Sequence, residues 1–265
     1  MRAVILALAF GAASAFMGAP VAPSARSTSA IKMTTQDELA ALAESNRDAL
    51  GAGIGFWDPL GCSKMSFWTL SNEETIGYLR HAEIKHGRVA MAAFVGYCVH
   101  AQGIQFPAHI PGTYTTTSPA ELWDQVPTNG QLQIIFFIGF LEFWSELGER
   151  VGLAPHYMRG GKPGAFNSFK DNQKALQLPH PVPFDLFDPF SLSKKASDEK
   201  KANGRLKEIN NGRLAMIGIM GFLAESKVPG SVPALKGIVQ SYDGDYMAPL
   251  APQVTDVVGT LFGSS

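Results

Sequence analysis

The chain has 265 residues, room for one large domain or two small ones, and its 22 Lys and Arg against 23 Asp and Glu leave a formal net charge of −1. That near-neutrality excludes the broad electrostatic attraction by which proteins hold nucleic acid. Two cysteines, Cys62 and Cys98, lack CxxC spacing and are too few for a disulfide framework, so they read as packed thiols.

Arg2 precedes an apolar run from Ala3 to Ala13, and Ala13-Ser14-Ala15 puts small residues where a signal peptidase reads, with cleavage before Phe16. From Phe16 to Lys32 the chain is rich in Ala, Ser and Pro, carries Arg26 and Lys32, and meets its first acidic residue only at Asp37, as organelle transit peptides do. Two addresses in series imply two translocations, an ER step before plastid import. Residues 1–32 are therefore expected to be a bipartite targeting leader and 33–265 the functional domain; a single signal peptide with a mature tail is the alternative.

Ser71-Asn-Glu-Glu74 offers an N-cap with acidic residues in the first turn, and no proline follows up to Val99, which predicts a first helix over about 72–103. Val126 to Leu141 is uncharged and ends at Glu142, predicting a central helix over about 128–148 that is apolar on all sides. Ser197-Asp198-Glu199 caps a third, over about 198–228, which Pro229 stops. Thirty residues of helix span about 45 Å, more than a hydrocarbon core needs. The expected fold is an all-α membrane protein with three transmembrane helices.

The outer two are copies. Glu83-Ile-Lys-His-Gly-Arg-Val-Ala-Met91 recurs as Glu208-Ile-Asn-Asn-Gly-Arg-Leu-Ala-Met216, six of nine positions identical. An aromatic turn precedes each copy, Trp57-Asp58-Pro59-Leu60 and Phe187-Asp188-Pro189-Phe190. Unpaired in a bilayer, Glu83, Arg88, Glu208 and Arg213 would together cost roughly 10–14 kcal/mol. Glu83 and Arg88 stand about 140° apart around one helix and cannot pair well with each other. Reciprocal pairing resolves this: if the first and third helices cross with pseudo-two-fold symmetry, Glu83 meets Arg213 and Glu208 meets Arg88. Gly87, Ala90, Gly212 and Ala215 would let the backbones approach.

His86 and Asn211 each follow their Glu by three residues, one turn along the same side of the helix. Glu, His and Asn all donate a lone pair to a metal, and Mg²⁺ takes oxygen readily, so a flat Mg-centred macrocycle could bind at each. A zinc site at His81-Ala-Glu83-Ile-Lys-His86 fails on spacing, since zincin histidines stand four apart and the second copy keeps neither. No nucleophile motif, P-loop or dinucleotide fingerprint is present, which argues against an enzyme. A soluble helical bundle would solvate the charges but leaves the central helix without a core of matching size.

These paired motifs, each with its Asp-Pro turn, closely resemble those of the light-harvesting chlorophyll-binding proteins, over roughly Gly55 to Leu235. The resemblance implies crossed first and third helices held by the Glu–Arg pairs, with chlorophyll Mg ligated at Glu83, His86, Glu208 and Asn211. It implies further ligands at Glu142 and Gln133 on the central helix and at Glu225 near the end of the third, with carotenoids in the grooves beside the crossed helices. His100, His109, His156 and His180 match no ligand. The leader and the segment His156-Tyr-Met-Arg-Gly-Gly-Lys-Pro-Gly164 look like the chlorophyll a/c branch of red-lineage plastids, such as those of dinoflagellates. The implied cofactors are chlorophyll a, chlorophyll c and a xanthophyll of peridinin, fucoxanthin or diadinoxanthin type. The implied role is a multi-pass thylakoid antenna passing excitation to a photosystem core among neighbouring antenna proteins and thylakoid lipids. A photoprotective, heat-dissipating member is the alternative within the family, and a pigment-free membrane scaffold or transporter the alternative outside it.

Overall fold

Both repeat helices begin on a serine cap. Ser71 Oγ accepts from the Glu74 amide at 3.2 Å while the Glu74 carboxylate accepts from the Ser71 amide at 2.9 Å, a complete capping box. Ser197 Oγ accepts from the Lys200 amide at 3.3 Å. The computed structural model of the chain describes residues 36–47, 55–104, 116–151, 155–170, 172, 188–190 and 195–246. All of these belong to one unit, Lys32–Ser265. The leader expected at 1–32, Phe187, His109 and His180 lie outside the described residues.

The helices are α1 (Gln36–Ser45), α2 (Asn72–Ala101), α3 (Pro119–Gln125), α4 (Thr128–Leu147) and α5 (Asp198–Lys227). The described residues contain no strand. α2, α4 and α5 lie where the three long helices were expected, each ending a residue or two early. α2 stops where Gly103 turns the chain at φ 76°, a left-handed conformation that glycine adopts at least cost. Glu142, read as the end of the uncharged central stretch, sits inside α4, which continues for another turn and a half past it. The sequence reading did not anticipate α1 or α3. Among the described residues no helix is both long and apolar enough to cross a membrane on hydropathy alone: charges interrupt α2 and α5, and α4 carries Asn129, Gln131, Gln133, Glu142 and Glu146.

α2 packs against α5, with Gly87 against Gly212 at the crossing. A Cβ built on Gly87 would stand 3.1 Å from the Gly212 Cα, and one on Gly212 would stand 2.9 Å from the Gly87 Cα. Beyond the crossing Phe94 and Tyr97 of α2 both stack on Phe222 of α5, with ring centroids 5.1 and 4.7 Å apart. Both helices therefore direct their C-terminal thirds to the same end of the pair.

α4 is held mainly through the chain that follows it. Trp144 Nε1 donates to the Asn167 carbonyl at 2.8 Å and its ring stacks on Phe169. Glu146 accepts from His156 Nε2 at 2.7 Å and from the Tyr157 hydroxyl at 3.3 Å. Tyr157 in turn stacks face to face on His81 of α2, centroids 3.8 Å apart. Burial and the Glu146 carboxylate push the Tyr157 phenol up to about 12, so it remains a donor.

At the far end, the chain after α5 folds back. The Tyr242 amide donates to the Ser226 carbonyl at 2.8 Å, its hydroxyl donates to Asp124 of α3 at 2.9 Å, and Lys227 Nζ reaches the Gly244 carbonyl at 2.7 Å. The turn before α2 is fixed by Asp58, whose carboxylate accepts from the Cys62 and Ser63 amides at 2.9 Å each and from Ser63 Oγ at 2.6 Å. The Ser63 hydroxyl and amide, ahead of Cys62, hold that carboxyl below its ordinary 3.8.

Gly212→Val should weaken the α2–α5 association by about 1–3 kcal/mol or more through overpacking against backbone, read as a lower Tm of the assembled protein. Gly204→Ala, whose Cβ would meet nothing within 4 Å, should instead gain about 0.5–1 kcal/mol of helix propensity. Because the Asp58 pKa is lower folded than unfolded, its contribution is full above its unfolded value and fades as pH falls through the folded one. Below about pH 4 the Cys62 and Ser63 amides should lose protection against exchange relative to their intrinsic rates, and Asp58→Asn should abolish that pH dependence.

Candidate pigment-binding site

The repeat motifs meet at the crossing. Arg88 Nε stands 2.5 Å from Glu208 Oε1, and Arg213 Nε stands 2.7 Å from Glu83 Oε1. The geometry is reciprocal: each helix gives one guanidinium and one carboxylate, and each guanidinium uses Nε on one oxygen only. The second oxygen of Glu83 and of Glu208 accepts no hydrogen bond among the described residues. A carboxylate so arranged has its charge compensated while keeping a lone pair for a cation.

One turn further on, the His86 ring is exposed and its Nδ1 stands 2.8 Å from the Ala82 carbonyl oxygen. A carbonyl only accepts, so Nδ1 carries the proton, and in the neutral ring this leaves the lone pair on Nε2, the tautomer in which imidazole binds metals through that nitrogen. Asn211, its counterpart on α5, is exposed with no protein hydrogen bond among the described residues. The four residues from the two copies thus keep polar atoms that no described residue engages, two on each helix. His81 does not join them: it is buried under Tyr157, and its Nδ1 accepts from the Gly164 amide at 3.1 Å. That separates it from His86, so no zinc pair forms.

The remaining expected ligands fare unequally. Glu142 of α4 forms a salt bridge with Lys85 of α2, which compensates its charge. Lys85 escaped the sequence reading; its signal was the departure from the repeat, since the second copy has Asn210 there. Gln133 is exposed on α4, whereas neighbouring Gln131 is fully buried and donates from Nε2 to the Trp123 carbonyl at 2.8 Å. Glu225, expected as a ligand, stands in the last turn of α5. It is only 3% exposed, and its two oxygens accept from the Gly230 and Val232 amides at 2.8 Å each. Its carboxylate therefore caps the turn after α5 and faces no open surface.

The two copies also differ in their surroundings. Arg88 Nη1 donates to the Gly164 carbonyl at 2.6 Å, so His81 and Arg88 together clasp both polar groups of one peptide segment. Gly164 has φ 75°, and a Cβ there would press on Ile84 at 2.7 Å, so only glycine fits. Arg213 makes no equivalent contact to a loop among the described residues.

A crossed helix pair with compensated carboxylates and outward lone pairs is the framework of a helical protein that carries metal-centred pigments. The family model described as chlorophyll A-B binding protein matches residues 42–227. The chain belongs to this family. It is 32% identical over 243 residues to the fucoxanthin-chlorophyll a-c binding protein, chloroplastic, of Trieres chinensis, covering 88% of this chain and 98% of that protein. It is 30% identical over 246 residues to fucoxanthin-chlorophyll a-c binding protein A of Macrocystis pyrifera, covering 86% and 92% respectively. Protein C of the same description from Phaeodactylum tricornutum is 30% identical over 233 residues, covering 86% and 96%.

Arg88→Leu and Arg213→Leu should each remove one of the two half-exposed cross-helix pairs and weaken the α2–α5 association by about 1 kcal/mol. Arg88→Leu should lower the Tm of the assembled protein further than Arg213→Leu, because it also releases Gly164. Equal losses would show that the clasp contributes nothing.

Proposed function

We propose that this chain is a light-harvesting antenna of the plastid thylakoid, a multi-pass protein that binds chlorophyll a, chlorophyll c and a fucoxanthin-type xanthophyll and passes excitation to a photosystem core. The observation that carries this reading is the crossing itself: two duplicated motifs that cancel each other's charge while leaving outward lone pairs on an apolar surface. The pigment class follows the relatives, whose names specify fucoxanthin and chlorophylls a and c and a chloroplastic address. Like its family, the chain binds pigment and is not an enzyme.

The residues fit magnesium. Glu83 and Glu208 would hold it through their second oxygens, Asn211 through its amide oxygen and His86 through Nε2. Glu142, compensated by Lys85, and exposed Gln133 would do so on α4. When bound, chlorophyll supplies the light absorption and the excited state. What the chain contributes is spacing, since ligands three residues apart on one helix fix neighbouring sites about 4.5 Å apart along its axis. The ion pairs set the relation between the two helices, and thereby between the two ligand sets.

Membrane placement is supported by what the helices expose. On α4, Leu132, Ile134 to Ile138, Phe140 and Phe143 are all exposed, on every side of the helix. The buried apolar residues are few by comparison: Ile76, Ala90, Leu122, Trp144 and Tyr242 among the described residues. Apolar surface of that extent calls for lipid and pigment around it. In this reading α2, α4 and α5 cross the bilayer, residues 1–32 are the targeting leader, and Glu83–Arg213 and Glu208–Arg88 compensate the charges that hydropathy counts against α2 and α5.

Solubilised from thylakoids in mild detergent, the protein should show chlorophyll c and carotenoid bands in the excitation spectrum of its chlorophyll a emission. Bound pigment without emission would mark a quencher, and a colourless protein would overturn the reading. His86→Leu should lose about one chlorophyll per chain while the protein still assembles, since Glu83 and both ion pairs remain.

A further inference from the structure

The turn ahead of α2 is held by side chains of that helix. Asn72 Nδ2 donates to the Ser63 carbonyl at 2.6 Å, the Phe67 amide donates to Thr75 Oγ1 at 3.2 Å, and the Leu70 amide closes on the Phe67 carbonyl at 2.9 Å. Within it Trp68 (φ 49°, ψ 39°) and Thr69 (φ 63°) are both left-handed, the conformation that favours glycine, and neither is glycine. Strain of this kind persists only where the surrounding structure over-determines it, and it collects at sites of function. The side chain presented by this turn is an indole, 70% exposed, whose ring meets that of Tyr78 of α2 edge to face, centroids 5.3 Å apart. Neither the Trp68 indole N–H nor the Tyr78 hydroxyl has a hydrogen-bond partner among the described residues.

Depth decides what meets them. Gly87 is the sixteenth of thirty residues in α2 and Gly212 the fifteenth of thirty in α5, so the crossing marks the middle of the pair. Tyr78 lies nine residues before Gly87, about 13 Å along the axis, and half a hydrocarbon core is about 15 Å. Glu73 and Glu74, about 20 Å from the crossing, stand beyond that boundary. The side of α2 that carries Tyr78 continues to Val89, 64% exposed, and to exposed Ala92, about 20 and 40° away around the helix. Two rings with apolar bodies and free donors, placed where an apolar side of the helix reaches the edge of the core, match the glycerolipid ester layer. That layer offers carbonyl acceptors beside acyl chains. At the corresponding place in the second copy stands exposed Asn203, between Lys200 and Arg205.

We infer that Trp68 and Tyr78 form an aromatic anchor that seats the N-terminal end of α2 in the ester layer of the bilayer, the indole N–H and the phenol O–H donating to lipid carbonyls. The inference rests on the reading that α2 crosses the membrane. A helix of thirty residues is longer than the core and has to tilt or protrude. An aromatic anchor on the first copy fixes where α2 leaves the membrane, and α5 follows through the crossing.

The test uses the full chain made with 5-fluorotryptophan, loaded with chlorophylls a and c and fucoxanthin and held in lipid nanodiscs for fluorine NMR. Trp68→Gly, which suits the left-handed backbone and should leave the pigment content unchanged, assigns the Trp68 resonance, and buried Trp144 serves as the shielded reference. Lipid spin-labelled near the ester end of its acyl chain should broaden the Trp68 signal about threefold more than lipid labelled at the chain end or a nickel chelate in the water. Strongest broadening by the chelate would place the indole in water, and strongest broadening by the chain-end label would place it in the core. No broadening by any of the three would place it under protein or pigment. Each of these results would overturn the anchor, and with pigment retained in the nanodisc the antenna reading would stand. A chain that the nanodiscs do not retain would overturn the crossing of α2 as well.

Discussion

Two guanidiniums and two carboxylates lie midway along a pair of helices, and each charge finds its opposite on the other helix. The exchange works only if the backbones come close, which the Gly87–Gly212 contact allows. It also works only once: shifting one helix by a residue rotates its pairing groups by about 100°. Charge compensation thus sets register, crossing point and ligand direction together. His86 and Asn211, each one turn beyond a carboxylate on the same side of its helix, stand exposed beside the crossing.

The duplication is not carried through the whole molecule. The first copy has His81 and Lys85 where the second has Leu206 and Asn210, and those two differences recruit everything packed on one side of the pair. Lys85 draws Glu142 of α4, His81 stacks on Tyr157, and His81 with Arg88 pins Gly164. The helix of the second copy ends in a polar fold-back, where Glu225, Lys227 and Tyr242 tie α5 to the following chain and to α3. A symmetric core with asymmetric edges gives α4 one defined place.

Few apolar side chains are buried by the described residues themselves, so burial of protein against protein cannot be the main source of stability. Groups that bind the folded chain and not the unfolded one add stability by mass action. In a chain built this way, ligand sites and fold are coupled: the outward lone pairs recruit what then covers the apolar flanks.

The serine caps, the helix lengths, the duplicated motif and the need for Glu83 to meet Arg213 were all legible in the sequence, because each depends on spacing along one helix or on a comparison of two segments. Glu142, Gln133, Glu225 and Gly164 were not equally legible. Whether Glu225 faces an open groove or the amides of Gly230 and Val232 depends on how the chain turns after α5. Whether Glu142 stands alone depends on Lys85, fifty-seven residues away on another helix. Helical periodicity tells which residues share a face, but not what that face meets; contacts between unrelated segments leave no periodic trace, so only the tertiary structure decided them.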